Sequence, residues 1–179
     1  MESSEEKLWF AMRATYRREL LAKDKLAERG VESYVPMRYE YVQVRGRRHL
    51  SEVPAVHCLI FVRATKSELN RVKRYMPYLQ YIVCRKGLER QPIVVPERQM
   101  ETFMRATGDA DASSLYFSGD EINIAKGTRV RIHGGVLDGC EAVFMKVKGA
   151  RARRAVVAVQ GVVAVALATV TPDMIEVLD

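Results

Sequence analysis

The chain has 179 residues, a length that fits one domain of ordinary size or two small ones. Hydrophobic residues make up 48% of it and charged residues 28%, so its composition excludes a disordered or fibrous protein. Basic residues outnumber acidic residues by 29 to 22, and the net charge of +7 favours a polyanionic partner.

Neither a disulfide framework nor a zinc site is indicated, because Cys58, Cys84 and Cys140 are odd in number and far apart. We therefore expect no metal and no cofactor. The first seven residues are acidic where a signal peptide would be basic and then apolar. The longest uncharged stretch, residues 155–172, is interrupted by polar side chains and glycine, so no transmembrane helix is expected. These features predict a cytoplasmic protein with no membrane partner.

The charge is unevenly distributed along the chain. Residues 1–105 carry a net charge of +8, residues 106–125 carry −4, and residues 126–179 carry +3. The middle segment is rich in small and polar residues and has no cation, a composition typical of an interdomain linker. We predict two domains, at residues 6–107 and 126–179, joined by a flexible acidic linker at residues 108–125.

The first elements in chain order are a strand, a helix and a hairpin. Residues 8–12 are a short apolar run that predicts a buried strand. Residues 16–29 change to helical spacing, which ends at a glycine. Residues 38–45 and 47–53 alternate in strand fashion on either side of Gly46, which predicts a hairpin with a cationic tip.

The rest of the first domain mixes strands and helices. Residues 57–63 are a continuous apolar strand suited to the centre of a sheet, and Ser67 is predicted to cap a helix that runs to about residue 75. Strands are predicted at residues 79–84 and 93–95, and a last helix at about 97–106. This order predicts the α+β class, with an N-terminal α/β sandwich built on a mainly antiparallel sheet.

The last 54 residues have a different pattern of short, β-branched segments separated by glycines. These segments span residues 129–133, 142–147, 155–159, 162–167 and 174–177. Strands of this length and spacing predict a small β-barrel.

Several segments together resemble a known family. In the first domain they are Leu8-Trp-Phe, Tyr34-Val-Pro-Met, Arg45-Gly-Arg-Arg and Leu59-Ile-Phe-Val. In the second, residues 126–142 resemble a KOW motif, with Gly127, Val130, Ile132, Gly135, Leu137 and Gly139 in the expected places. In this order the segments resemble the NusG family of transcription elongation factors, which join an N-terminal NGN domain to a C-terminal KOW domain.

The resemblance implies an NGN-like domain followed by an SH3-like barrel, in a transcription elongation and antitermination factor that binds RNA polymerase. The Pro-Met after the second strand and the Val-Arg-Gly-Arg-Arg hairpin resemble specialised paralogues of the RfaH and UpxY type. Those paralogues suppress pausing or termination on particular operons, such as capsular polysaccharide clusters. The implied partners are RNA polymerase, DNA or RNA at the elongation complex, and ribosomal protein S10 or termination factor Rho for the KOW domain.

An apolar patch that contacts polymerase is the first candidate site. Two adjacent strands could present the side chains of Phe61, Leu59, Tyr81 and Ile82 on one side of the sheet. The alternative is that these residues belong to the core, because the register that separates core from patch is not readable from the sequence.

Two groups of arginines are the candidate nucleic-acid contacts. Arg13, Arg17 and Arg18 are placed at the start of the first helix, and Arg45, Arg47 and Arg48 crowd the hairpin tip. Both groups could meet phosphates, whereas a solvated charged surface is the alternative. Beside the tip, Tyr39 and Tyr41 alternate, for which packing on a sheet is the commoner role and base stacking the other.

Catalysis has little support, because His49, His57 and His133 are isolated from any nucleophile or carboxylate spacing. We expect a monomeric protein that is not an enzyme. Two alternatives stay open: a KOW-type RNA-binding protein associated with ribosomes, and a metal-dependent nuclease.

Overall fold

A computed structural model describes residues 5–108, 113–159 and 161–179. The α-helices are α1 (Glu19–Glu28), α2 (Lys66–Lys73) and α3 (Glu97–Gly108). The strands of the first 108 residues are β1 (Leu8–Ala14), β2 (Glu32–Tyr34), β3 (Met37–Val44), β4 (Arg47–Pro54), β5 (Leu59–Ala64), β6 (Leu79–Tyr81), β7 (Val83–Lys86), β8 (Glu89–Pro92) and β9 (Val94–Val95). Those that follow are β10 (Leu115–Ser118), β11 (Thr128–Ile132), β12 (Glu141–Met145), β13 (Arg154–Val159), β14 (Val163–Leu167) and β15 (Ile175–Val177).

The elements fall into two compact units. The first comprises Met1–Pro36 and His57–Glu97, and the second comprises Met37–Val56 and Arg98–Asp179. Every strand pair recorded in both units is antiparallel. The mixed α/β architecture with mainly antiparallel sheets confirms the predicted fold class.

The first unit is built on a sheet of order β2-β5-β1-β6. The beginning of β1 also pairs with β9, through Trp9 and Val95, while its end pairs with β6. Consecutive residues of β1 and β5, such as Ile60 and Phe61, are fully buried. Side chains on both faces of these strands are therefore enclosed, which explains why both strands are continuous apolar runs.

A β-hairpin formed by β7 and β8 leaves this sheet between β6 and β9. The amide of Ile82 donates to the carbonyl of Ala11, and the amide of Ile93 donates to the carbonyl of Ile82 at 2.8 Å. These bonds close the base of the hairpin, so the single strand predicted at residues 79–84 is wrong. The apolar run crosses the break without a turn residue, and the sequence therefore carries no signal for it.

The first helix starts later than predicted. Thr15–Arg17 is a 3-10 turn, in which Tyr16 and Arg17 have left-handed backbone angles with φ of 59° and 55°. A continuous helix cannot run through such residues, so α1 begins at Glu19. The cap of α2 lies earlier than predicted, since the hydroxyl of Thr65, and not Ser67, accepts from the amide of Glu68 at 3.1 Å.

The second unit contains the predicted β-barrel segments in one sheet of order β10-β14-β13-β12-β11-β15. Its core is made of β-branched and small side chains, among them Val130, Ile132, Val156 and Ala164. Within the described ranges, no helix of either unit combines the length and apolar character needed to cross a membrane.

Part of the predicted acidic linker belongs to this sheet. β10 pairs with β14 from Leu115 to Ser118, and residues 124–126 form a 3-10 turn, whereas residues 109–112 lie outside the described residues. The expectation of a flexible segment is therefore wrong for β10. Its apolar Leu-Tyr-Phe run is short and surrounded by acidic and small residues, so the composition of the segment gives no sign of a strand. The domain boundaries at 107 and 126 stay predictions.

Candidate polymerase and nucleic-acid interface

The predicted apolar patch is mostly core. Phe61 is 0% exposed and Leu59 is 4% exposed, so neither presents surface to a partner in this structure. Of the four residues, only Tyr81 and Ile82 are partly exposed. The exposed patch expected from the sequence is therefore corrected to these two, and their contact with polymerase stays a prediction.

Tyr81 is held from three sides. Its ring packs edge-to-face against Phe10 with centroids 5.6 Å apart, and its hydroxyl donates to Oδ1 of Asn70 at 2.9 Å. The Nζ of Lys73 lies 4.1 Å from the ring centroid. Burial raises the pKa of the Tyr81 hydroxyl, because the phenolate would be poorly solvated there.

Of the first arginine group, only Arg18 lies at the start of a helix. Arg13 projects from β1, Arg17 lies in the 3-10 turn, and Arg18 directly precedes α1. All three are exposed. The Cζ of Arg18 lies 5.6 Å from the ring centroid of Tyr16 and 5.3 Å from that of Tyr78. Desolvation raises the pKa of Tyr78, while the charge of Arg18 acts in the opposite direction.

The second arginine group lies where the sequence places it, at the tip of the β3–β4 hairpin. Arg45 and Gly46 form the turn, with φ of 51° and 77°. Positive φ at both central residues is the signature of a type I′ turn, which matches the twist of the two strands. Arg45, Arg47 and Arg48 are exposed, and within the described chain no carboxylate pairs with any of them. The two arginine groups lie in different units.

Tyrosine–cation pairs are a feature that sequence reasoning missed. They join Arg29 to Tyr75, Arg48 to Tyr41, Lys73 to Tyr81, and Arg18 to both Tyr16 and Tyr78. Such pairs occur about once per 70–80 residues in proteins, so the described residues have more than an average share. Two of the pairs, Arg29 with Tyr75 and Arg18 with Tyr78, join residues that are far apart in sequence and carry no local signal. The pair of Arg48 and Tyr41 could have been found from the hairpin register.

A further cationic group lies on the β7–β8 hairpin. Arg85 and Arg90 are direct cross-strand partners, although like charges in this position repel each other. Leu88 at the tip is fully exposed. The sequence prediction missed this group because it did not contain the hairpin.

The residues of the KOW pattern hold the barrel together. Val130, Ile132 and Leu137 are buried, and Gly135 and Gly139 have positive φ. At Gly127 a Cβ atom would lie 2.2 Å from Cγ1 of Val143, so no larger residue fits without a shift. Packing and backbone conformation therefore explain why these residue types occupy the positions of the KOW pattern.

Little in the described residues suggests chemistry. The closest pair of titratable groups involving a histidine joins Nε2 of His133 to Oε2 of Glu176 at 2.8 Å, and both side chains are exposed. No group of three or more His, Cys, Asp or Glu residues in the described ranges could hold a metal ion. The described surface offers exposed cations and tyrosine rings to a partner.

Comparison with known proteins finds a matching family and solved structures of similar fold. The family model described as transcription termination factor NusG matches residues 7–104. The structure of NusG from Thermotoga maritima, reported for domain interaction in that protein, is similar in fold, with a TM-score of 0.51 and 17% sequence identity. The similarity covers 97% of this chain and 98% of the other. No curated protein sequence matches the chain.

Proposed function

The chain belongs to the NusG family of transcription factors, and on that premise we propose that it binds RNA polymerase during elongation and suppresses pausing or termination. The observation that carries the proposal is the order of its parts. The family match at residues 7–104 is followed by a six-stranded β-sheet unit that contains the KOW pattern.

The mechanism we propose is binding without a chemical step. A factor that binds the processive state of polymerase more tightly than the paused state shifts the population toward elongation. The shift can be no larger than the difference between the two binding free energies, typically about 1–3 kcal/mol for such coupled equilibria. Within the described residues, no observation favours the alternatives of a metal-dependent nuclease or a ribosome-associated RNA-binding protein.

We also propose that the factor acts on particular operons, such as capsular polysaccharide clusters. Support comes from the resemblance of the cationic hairpin to the specialised paralogues, and from the arginines at its tip that no described carboxylate neutralises. Arg45, Arg47 and Arg48 would contact phosphates there, as would Arg13, Arg17 and Arg18 in the first unit. The KOW domain, residues 126–179, would bind ribosomal protein S10 or Rho.

Co-purification with RNA polymerase tests the binding step. The full chain, carrying a C-terminal affinity tag, should retain core polymerase from the same organism. When the polymerase is halted on a DNA template, the chain should still retain it in the presence of heparin. The variant Tyr81→Ala, which removes a partly exposed ring of the patch, should retain less polymerase than Tyr75→Ala, which removes an exposed ring outside the patch. Failure of the wild-type chain to retain polymerase would contradict the proposal.

A further inference from the structure

We propose that one face of the β3–β4 hairpin, formed by Tyr39, Tyr41, Arg48 and Leu50, binds single-stranded DNA by stacking tyrosine rings on unpaired bases. This base-stacking face goes beyond the phosphate contacts of the hairpin arginines. It rests on the proposed function, since a factor on transcribing polymerase works beside DNA whose strands are separated.

The strand register places these side chains together. Tyr41 is the direct partner of Leu50, Gln43 is the partner of Arg48, and Tyr39 lies two residues before Tyr41 on β3. Alternate residues of a strand point to the same side, so these pairs share one face of the hairpin. The Cζ of Arg48 lies over the ring of Tyr41, 4.8 Å from its centroid, so a base would stack on the opposite face of this ring.

Sheet packing does not explain the tyrosines. β3 and β4 form a two-stranded sheet that pairs with no other described strand. Tyr39 is 54% exposed, Tyr41 is 63% exposed and Leu50 is 56% exposed. An isolated hairpin of this kind is marginally stable in water, and exposed aromatic groups in a row indicate a surface that is covered by a partner.

The spacing and charge fit a nucleic-acid strand. Residues two apart on a strand are separated by about 6.6–6.8 Å, which is twice the ~3.4 Å rise between stacked bases. Each ring can therefore take a base, with room for one base between them. Arg45, Arg47 and Arg48 lie toward the tip, so the phosphates are expected there, away from Glu52 beside Tyr39.

Two observations favour single-stranded DNA over duplex and over RNA. Rings stack only on bases whose faces are free, which a duplex does not offer. The exposed side chain of Leu50 lies opposite Tyr41 and provides an apolar surface for the C5-methyl group of thymine, which uracil lacks.

Fluorescence anisotropy with a labelled oligo(dT) 12-mer tests the site in the full-length protein. The variant Tyr39→Leu/Tyr41→Leu keeps an apolar side chain at each position but removes the rings. We expect it to bind at least fivefold more weakly, because stacking on aromatic rings contributes substantially to the affinity for each base. The variant Tyr39→Phe/Tyr41→Phe should bind as the wild type does, and Tyr75→Leu, an exposed ring on the first unit, serves as the control.

Salt dependence separates stacking from charge. The leucine variant should keep the wild-type slope of log affinity against log salt, whereas Arg45→Ala/Arg47→Ala should lower its magnitude by about 0.7 for each phosphate that is no longer neutralised. Wild-type affinity of the leucine variant for oligo(dT), or equal weakening toward duplex DNA, would overturn the proposal. Equal wild-type affinity for oligo(dT) and oligo(rU) would overturn the assignment to DNA.

Failure of the base-stacking face can be distinguished from failure of the proposed function. Oligonucleotide binding is measured without polymerase, and the leucine variant should still be retained by polymerase in the co-purification assay. Loss of polymerase retention by the wild-type chain would contradict the proposed function and leave the anisotropy result in place.

Discussion

The carbonyl oxygen of Ala158 in β13 accepts a hydrogen bond of 3.2 Å from the side-chain amide of Gln99 in α3. A second bond runs from the guanidinium of Arg105 to the carbonyl of Val136. The two bonds fasten one helix to two places in the β-rich part of the second unit. Because α3 lies at the end of the family-matched segment, these bonds explain why the chain from Arg98 onward is grouped with the second unit and not with the first.

Replacing Gln99 should loosen α3. In Gln99→Ala the hydrogen bond is removed, at a cost of about 0.5–1.5 kcal/mol. Native-state hydrogen exchange should then show faster exchange of α3 amides, such as those of Met100 and Phe103. Gln43→Ala, an exposed glutamine of the β3–β4 hairpin, should leave these rates unchanged. Equal rates in wild type and Gln99→Ala would show that the bond does not hold the helix.

Phe61 tests whether the first sheet buries the predicted patch. Because this side chain is fully buried, Phe61→Ala should lower the free energy of unfolding by about 3–5 kcal/mol. Urea denaturation measures the decrease. The matched variant Leu88→Ala, at the fully exposed tip of the β7–β8 hairpin, should change it by no more than about 0.5 kcal/mol. If both variants lowered the free energy of unfolding by the same small amount, Phe61 would have to lie at the surface.

Gly127 tests the packing role of the KOW pattern. In Gly127→Ala the new Cβ meets Cγ1 of Val143 and Cβ of Met145, so overpacking should cost about 1–3 kcal/mol. Gly108→Ala is the control, because nothing lies within 4 Å of its Cβ position and its φ is not positive. Thermal unfolding of both variants measures the difference. A Gly127→Ala melting temperature equal to that of Gly108→Ala would contradict the close approach of β12.

Two partly buried tyrosines, Tyr78 and Tyr81, predict a lower free energy of unfolding at alkaline pH. Burial raises the pKa of Tyr78 and Tyr81 above the usual 10.0, so above about pH 10 the unfolded chain loses these protons first. The native state then binds more protons than the unfolded state, and the free energy of unfolding falls as pH rises. Tyr81→Phe should make this fall shallower, and Tyr78→Phe/Tyr81→Phe shallower still. Urea unfolding between about pH 9 and 11 measures the slope of the free energy of unfolding against pH for the wild type and the two variants. Identical slopes for all three proteins would contradict the prediction.

The hairpin and the barrel could be predicted from the sequence because their signals are local. The predicted strands 38–45 and 47–53 lie within a residue of β3 and β4 at each end, since alternation and Gly46 determine both the strands and the turn. The arginines at the tip follow directly from that turn. In the barrel, glycines separate β-branched strands in the same way.

Other parts could not be predicted because they depend on contacts distant in sequence. Phe61 lies in a strand enclosed on both faces, where a period of two cannot separate core from surface. β10 is a strand only because β14 pairs with it, and the partner of Ser118 is Val163, far along the chain. The stack of Arg29 on Tyr75 brings together two helix ends, and neither residue signals the other.

Read-through at a terminator tests the central claim most directly. RNA polymerase from the same organism is allowed to transcribe a template with a terminator, with and without the full chain, and the fraction of transcripts that pass the terminator is measured. We predict that this fraction, on a template taken from an operon the factor serves, rises with protein concentration and then saturates. A fraction that is the same at zero and at saturating protein on every such template would contradict the account.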